Sequence, residues 1–148
     1  MNGGPERWIR DDLAGPGTGL WWAGADDVVG VSGREGLRAY SWRLDVCNGL
    51  RGRGVATEFG VPPVERAATG SGEAQIAGSA DRFVLRMSKE KALARAGVAF
   101  AADVLAPGGE LILVGGKEEG AVSLAKAVSR AWGVADVQRD GPWRRFRW

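Results

Sequence analysis

Residues 102–116, ADVLAPGGELILVGG, decide the fold class of this chain. Their first part continues an amphipathic helix that begins near Lys89, and Pro107 cannot extend that helix because its ring fixes φ and removes a hydrogen-bond donor. The two glycines after the proline permit a tight reversal. The run 111–114 is wholly apolar, as in a strand that is buried on both faces of a sheet. This order of helix, turn and strand predicts an α/β domain.

The segments on either side continue the alternation of strands and helices. The predicted strands are 20–24, 28–31, 55–61, 81–87 and 110–116, and the predicted helices are 36–50, 89–105 and 120–132. Residues 65–80 are small and polar and predict a loop, and 134–148 predict a hairpin. Because strands without a polar face need cover on both sides, we expect a mainly parallel sheet with flanking helices and a C-terminal antiparallel hairpin. Residues 1–19 are interpreted as a flexible Gly-rich lead-in, and 20–148 as a single domain.

The composition excludes several classes of site. The chain has no His, so the usual general base and the commonest metal ligand are absent. Its one Cys excludes an internal disulfide and a cysteine zinc cluster. Cys47 lies on the apolar stripe of the predicted helix 36–50, which favours a buried structural thiol over a nucleophile. The apolar runs fall short of the roughly 18 residues that a membrane span needs, so we expect no membrane contact and a cytoplasmic location.

Two short motifs flank the deciding stretch. Ser88-Lys89-Glu90-Lys91 precedes the helix, and GKEEGAVS at 116–123 follows the strand. This order resembles the N-terminal half of the two-domain small-subunit (16S) ribosomal RNA guanine-N2 methyltransferases, where P-K-x-K precedes the helix and G-E-N-x-x-G-x-x-S follows the strand. The resemblance covers about residues 20–148 and implies a Rossmann-like, class I methyltransferase fold. It also implies the role of that half, a degenerate copy beside a second domain that binds the cofactor and catalyses.

The glycines Gly15, Gly17 and Gly19 are the closest match to a cofactor loop. In class I methyltransferases an acid-x-Gly-x-Gly-x-Gly loop follows a strand directly, so that bare backbone approaches S-adenosylmethionine, and an acid that ends the next strand holds the ribose. Leu13 occupies the position of the first acid here, and Glu35 is the nearest substitute for the second. The N-P-P-[FY] motif that holds a target amine is absent after the fourth strand. The sequence therefore predicts no catalytic residue, no metal ligand and no cofactor bound by this domain.

Basic residues supply the candidates for RNA binding. They are Lys89, Lys91, Lys117, Arg144 and Arg145. The lysines follow predicted strands, and open α/β sheets bind ligands at that edge, although lysines that open a helix can also be merely solvated. The tail WRRFRW at 143–148 interleaves bases and aromatics, a pattern typical of single-stranded RNA binding. Its alternative is a terminal strand with aromatics in the core and arginines outside.

Three hypotheses about function remain open. The first is a non-catalytic domain that positions ribosomal RNA or supports a catalytic methyltransferase domain. The second is a small active S-adenosylmethionine-dependent methyltransferase that acts on RNA through Gly15–Gly19, and the third is a structural remnant that binds nothing specific. The seven Trp residues predict an apolar surface patch that includes Trp21, Trp22 or Trp148, where a second domain or another copy in a homodimer would dock.

Overall fold

The computed structural model describes most of the chain. The described residues are 5–14, 17, 19–22, 33, 35–41, 43–60, 64–65, 75–76, 78–87 and 89–148. Its helices are α1 (Pro5–Leu13), α2 (Leu44–Gly52), α3 (Lys91–Val104) and α4 (Ala121–Trp132), and a 3-10 turn covers Lys117–Glu119. Its strands are β1 (Gly19–Trp22), β2 (Leu37–Ser41), β3 (Ala56–Phe59), β4 (Val64–Glu65), β5 (Gln75–Ile76), β6 (Ala80–Arg86), β7 (Leu105–Gly116), β8 (Asp136–Asp140) and β9 (Trp143–Arg147).

Seven strands form one sheet in the order β3-β2-β1-β6-β7-β9-β8. The first five are parallel, with Leu20 opposite Phe83 and Val84 opposite Ile112. β9 lies antiparallel between β7 and β8, so that the last strand of the chain is internal to the sheet. The short strands β4 and β5 pair separately. The expected mainly parallel sheet with a C-terminal antiparallel hairpin is confirmed.

Side chains from both faces of the central strands are buried. Phe83, Leu85 and Leu113 pack with Phe100 of α3 in one hydrophobic cluster. Alternate residues of the same strands, such as Val84 and Ile112, belong to a second cluster with residues of α1 and α2. Because successive side chains of a strand point to opposite faces, this alternation means that helices cover the sheet on both sides.

The sequence predicted a flexible lead-in at residues 1–19, but residues 5–13 form the helix α1. Trp8, Ile9 and Leu13 lie on one side of it and are buried against the sheet. Asp12, buried in the same helix, accepts hydrogen bonds from Arg145 and Arg147 of β9. Burial raises the pKa of the Asp12 carboxyl, and the two arginines oppose that shift. Residues 5–13 are therefore part of the domain.

The middle of the chain also differs from what the sequence predicted. The helix predicted at 36–50 is in fact the strand β2 followed by the shorter helix α2, and the predicted loop 65–80 contains β5. β2 is an internal strand that pairs with β1 and β3, and these neighbours decide its conformation. The strands predicted at 55–61, 81–87 and 110–116, the helices at 89–105 and 120–132 and the terminal hairpin are confirmed to within a few residues at most of their ends. The strand predicted at 28–31 lies outside the described residues. None of the helices described is long and apolar enough to cross a bilayer.

Candidate functional site at the carboxyl edge of the sheet

The order in which successive strands are added to the sheet reverses between β1 and β6. From β1 the chain continues to β2 and β3 on one side, whereas β6 and β7 lie on the other. Open α/β sheets bind ligands at the carboxyl ends of strands that flank such a reversal. β6 ends there at Arg86 and β7 at Gly116. The residues that follow these two strands are therefore the candidates for a binding site.

A buried ion pair fixes the turn after β7. The Nη1 atom of Arg86 lies 2.7 Å from Oε1 of Glu119, and the two side chains are only 5% and 17% exposed. The same Glu119 oxygen accepts a hydrogen bond of 2.8 Å from the backbone N–H of Gly116. The Arg86 guanidinium also lies over the ring of Trp143, 5.4 Å from its centroid. These contacts join the ends of β6, β7 and β9.

The three candidate lysines all lie exposed near this edge, but in different settings. Lys91 is the first residue of α3 and contributes to the wall of a cleft between α3 and α4. Lys89 lies two residues earlier and Lys117 lies in the turn after β7, and neither is among the residues that line the cleft. Ser88 lies outside the described residues.

We call this space the α3–α4 cleft. It is lined by Met87, Lys91, Ala94, Arg95, Gly120, Ser123, Leu124 and Ala127. Gly120 has φ of 87°, a left-handed conformation that residues with a side chain rarely adopt, and it joins the turn after β7 to α4. Arg95 and Ser123 were not identified from the sequence, because their role at the cleft follows from how two distant helices pack.

The two candidate arginines of the tail are engaged inside the molecule. Arg144 is 8% exposed, and its Nη1 donates hydrogen bonds to the carbonyl oxygens of Gly141 and Trp143. Arg145 pairs with Asp12 and donates to Oε1 of Gln138. Along β9, Arg144 shares a buried face with Phe146, so the arginines do not all point outward as the alternative had it. Both guanidinium groups are thus held by acceptors of the protein itself, Arg144 buried and Arg145 partly exposed, and their contact with RNA stays a prediction.

The glycines proposed for a cofactor loop lie at the opposite edge of the sheet. Gly19 is the first residue of β1, and Gly17 packs against Asp81 near the start of β6. The Gly19 N–H donates to the carbonyl oxygen of Gly36, and Glu35 precedes β2. Gly17, Gly19 and Glu35 are therefore at the amino ends of parallel strands, away from the ligand-binding edge; Gly15 lies outside the described residues.

A carboxylate that the sequence analysis missed follows β2 at the carboxyl edge. Asp45, in the first turn of α2, is exposed and lies 2.7 Å from Nη2 of Arg43. The hydrogen bond from Arg43 lowers the pKa of this carboxyl below its ordinary value. Asp45 was missed because a helix was predicted across 36–50, which left no strand end there. The segment Leu37–Ser41 ahead of it carries little local signal for a strand, since Tyr40 is its one residue of a strongly β-forming type.

No family model and no curated protein matches the sequence. Solved structures do match. The 16S rRNA N2 G1207 methyltransferase from T. thermophilus, in complex with AdoMet (S-adenosylmethionine) and guanosine, aligns with a TM-score of 0.71 and 19% identity over 96% of this chain and 37% of that one. The ribosomal protein L11 methylase from Lactobacillus delbrueckii subsp. bulgaricus aligns at 0.58 and 11% over 96% and 74%. A SAM-dependent methyltransferase from Aquifex aeolicus aligns at 0.58 and 12% over 96% and 87%.

The chain has the fold of the S-adenosylmethionine-dependent methyltransferases. The fold class and the resemblance inferred from the sequence are confirmed. The chain spans about a third of the T. thermophilus protein, since it covers 37% of it. The prediction that this domain binds no cofactor is wrong: its structural neighbours are SAM-dependent methyltransferases, and the T. thermophilus one is in complex with AdoMet.

Of the three Trp residues predicted to form a surface patch, the structure describes the side chain of Trp148 alone. Trp148 stacks on Phe146 with ring centroids 6.0 Å apart, and its Nε1 donates to the carbonyl oxygen of Gly133. It is thus packed into the domain. The side chains of Trp21 and Trp22 lie outside what the structure describes. Docking of a second domain or a second copy stays a prediction.

Proposed function

We propose that this chain is a non-catalytic methyltransferase-fold domain that positions small-subunit ribosomal RNA for methylation at guanine N2 beside a catalytic domain. The observation that carries the proposal is the alignment of 96% of this chain, at a TM-score of 0.71, with about a third of a 16S rRNA N2 methyltransferase. The sequence resemblance to the N-terminal half of such enzymes supports the same conclusion independently of the alignment.

The charges at the carboxyl edge support a contact with RNA. Lys89, Lys91 and Lys117 are exposed where β6 and β7 end, which is the edge at which this architecture binds ligands. The whole chain has a net charge of only +2, so non-specific attraction of nucleic acid by the overall field is small. A local contact at this edge is therefore the route by which the domain would hold RNA.

A second candidate is a small active S-adenosylmethionine-dependent methyltransferase that acts on RNA. The observation that favours it is the carboxylate of Asp45 in the first turn of α2, near the end of β2, where this fold needs an acid for the ribose hydroxyls. When bound, S-adenosylmethionine would supply an activated methyl group. Asp45 would accept hydrogen bonds from the ribose, and the two hydrogen bonds from Arg43 would hold the Asp45 carboxylate in position.

The test compares RNA binding and methyl transfer by the purified chain. The probes are a fragment of small-subunit rRNA, a scrambled RNA of the same length and composition, and S-adenosylmethionine with a tritiated methyl group. The proposal predicts tighter binding of the rRNA fragment and no transfer by the chain alone. Equal affinity for the two RNAs contradicts it. Transfer that Asp45→Ala abolishes, and that the parallel change Asp11→Ala on α1 leaves intact, establishes the second candidate instead.

A further inference from the structure

The α3–α4 cleft is lined by cations and no carboxylate. Of its eight lining residues, the two that ionise are Lys91 and Arg95, and the others are apolar residues, a glycine and a serine. Lys91 and Arg95 lie one turn apart on the same side of α3. Like charges at this spacing repel each other and destabilise a helix, and an anion bound between them would remove that repulsion.

Both cations are available to a ligand. Lys91 and Arg95 are exposed, and neither is paired with a carboxylate in the part of the chain that the structure describes. This separates them from Arg86, Arg144 and Arg145, whose guanidinium groups are held by acceptors of the protein itself. A guanidinium and an ammonium group together suit a phosphate, since the first can donate two parallel hydrogen bonds and the second adds a point charge.

The opposite wall adds a polar group, and small residues keep the cleft open. Ser123 of α4 is exposed and offers a hydroxyl that can donate a hydrogen bond to a phosphate oxygen. Ala94 and Ala127 are too small to fill the space between the helices. The cleft also lies directly after β6 and β7, since Met87 and Gly120 contribute to its lining.

We propose that the α3–α4 cleft binds a phosphodiester group of single-stranded RNA through Lys91, Arg95 and Ser123. The inference rests on the proposed function and names the contact by which RNA is held. RNA is favoured over a small phosphorylated metabolite because Lys89 and Lys117 offer further cations along the same edge for successive phosphates, although the exposed Glu90 and Glu118 beside them offset part of that charge. The contact is to the backbone and therefore does not depend on base sequence.

The experiment is fluorescence anisotropy with a labelled rRNA fragment and the scrambled RNA, over a range of salt concentrations. The test variant is Lys91→Ala/Arg95→Ala. The matched control is Lys126→Ala/Arg130→Ala, which also removes one lysine and one arginine a turn apart, from the face of α4 toward β8 and β9. The inference predicts that the test variant lowers the salt slope by about 1.4 with both RNAs, because two contacts to single-stranded RNA are lost. The control should keep the parent slope.

Three further variants test whether charge at the cleft controls RNA binding. Arg95→Lys keeps the charge and should retain the slope of the parent, although it loses the paired hydrogen bonds. Ser123→Asp places a carboxylate opposite the cations and should weaken binding more than Ser123→Asn. Thermal unfolding should show all of these variants folded as the parent is, because the changed side chains are exposed.

The outcomes separate this inference from the proposed function. Equal slopes for the parent and the test variant, or an equal loss in the control variant, overturn the cleft as the contact even if the rRNA fragment is preferred. A lowered slope with no preference between the two RNAs supports the cleft and contradicts the ribosomal RNA function. Failure of the parent to bind either RNA overturns both.

Discussion

Arg86 is a charged residue almost completely buried at the edge where the candidate site lies. Its guanidinium contacts the carboxylate of Glu119, the carbonyl oxygen of Met87 and the ring of Trp143. A buried charge is tolerated only when such partners replace the water it has lost. Arg86 therefore positions the turn after β7 and is unavailable to a ligand.

Removing the carboxylate partner should be costly. We expect Glu119→Ala to lower the free energy of unfolding by about 3 kcal/mol, because the buried guanidinium of Arg86 loses the carboxylate that lies 2.7 Å from it. The neighbouring Glu118→Ala removes an exposed carboxylate from the same turn and should change stability little. Urea unfolding followed by circular dichroism measures both. Equal losses in the two variants would contradict the role given to the ion pair.

The Cys47 thiol should be unreactive in the folded protein. It is fully buried, its Sγ lies 3.5 Å from the carbonyl oxygen of Ser41, and burial raises its pKa above the ordinary 9.0. Because the folded state holds this proton more tightly than the unfolded chain, the thiol favours folding below pH 9 and that contribution is lost as the pH rises through the folded pKa. Iodoacetamide at pH 8 should modify Cys47 only at the rate of unfolding. Rapid modification without denaturant would show an exposed thiol.

At the scale of elements, α1 is held to the sheet by a polar contact as well as by its apolar side chains. Asp12 is 4% exposed as a side chain and faces Arg145 and Arg147, and Arg82 donates to its carbonyl oxygen. The contact joins the first helix of the chain to the last strand. It fixes the position of the helix along the sheet, which apolar packing alone determines less closely.

We expect Asp12→Ala to lower the free energy of unfolding by about 3 kcal/mol, since Arg145 is then left mostly buried without a carboxylate. Asp45→Ala is the matched control, because Asp45 also pairs with an arginine but lies fully exposed to solvent. The control should unfold at nearly the same denaturant concentration as the parent. If the two variants are equally stable, the contact between α1 and β9 contributes nothing specific.

The sequence predicts some elements better than others for a physical reason. Between residues 80 and 132, β6 and β7 carry apolar residues on both faces and α3 and α4 are amphipathic over three turns or more, so local pattern and burial agree. In β2, Leu37 and Tyr40 are three positions apart, which mimics a helix, and only pairing with β1 and β3 makes the segment a strand. The stripe Trp8, Ile9 and Leu13 of α1 was present in the sequence but lies among glycines that suggest a loop.

The candidate site was predicted in part. The position of Lys91 at the end of β6 follows from the order of elements, and the sequence supplied it. The contacts of Arg144 and Arg145 do not follow from the order of elements, because they depend on the carbonyl oxygens of a turn and on Asp12, which is far away in the chain. The contribution of Arg95 and Ser123 depends in the same way on how α3 packs against α4.

At the scale of the whole molecule, the hairpin at the end of the chain completes the sheet. β9 pairs with β7 on one side and β8 on the other and buries Phe146. A chain that ends at Asp140 loses both ladders, and β8 then has no strand to pair with. We expect this truncated chain to lack a cooperative thermal transition, measured by circular dichroism and amide NMR dispersion. A sharp transition near that of the parent would contradict a structural role for β9.

The position of β9 inside the sheet has a consequence for biosynthesis. Arg145, which donates a hydrogen bond to Asp12, lies 133 positions later in the chain and is therefore synthesised long after it. At a synthesis rate of about 5 to 20 residues per second, α1 is present for on the order of 10 s before its partner strand exists. For most of that interval β6 and β7, whose Val84 and Ile112 pack with Trp8, Ile9 and Leu13, are also incomplete. These apolar side chains are then uncovered, so nascent chains of this protein should be substrates for chaperones.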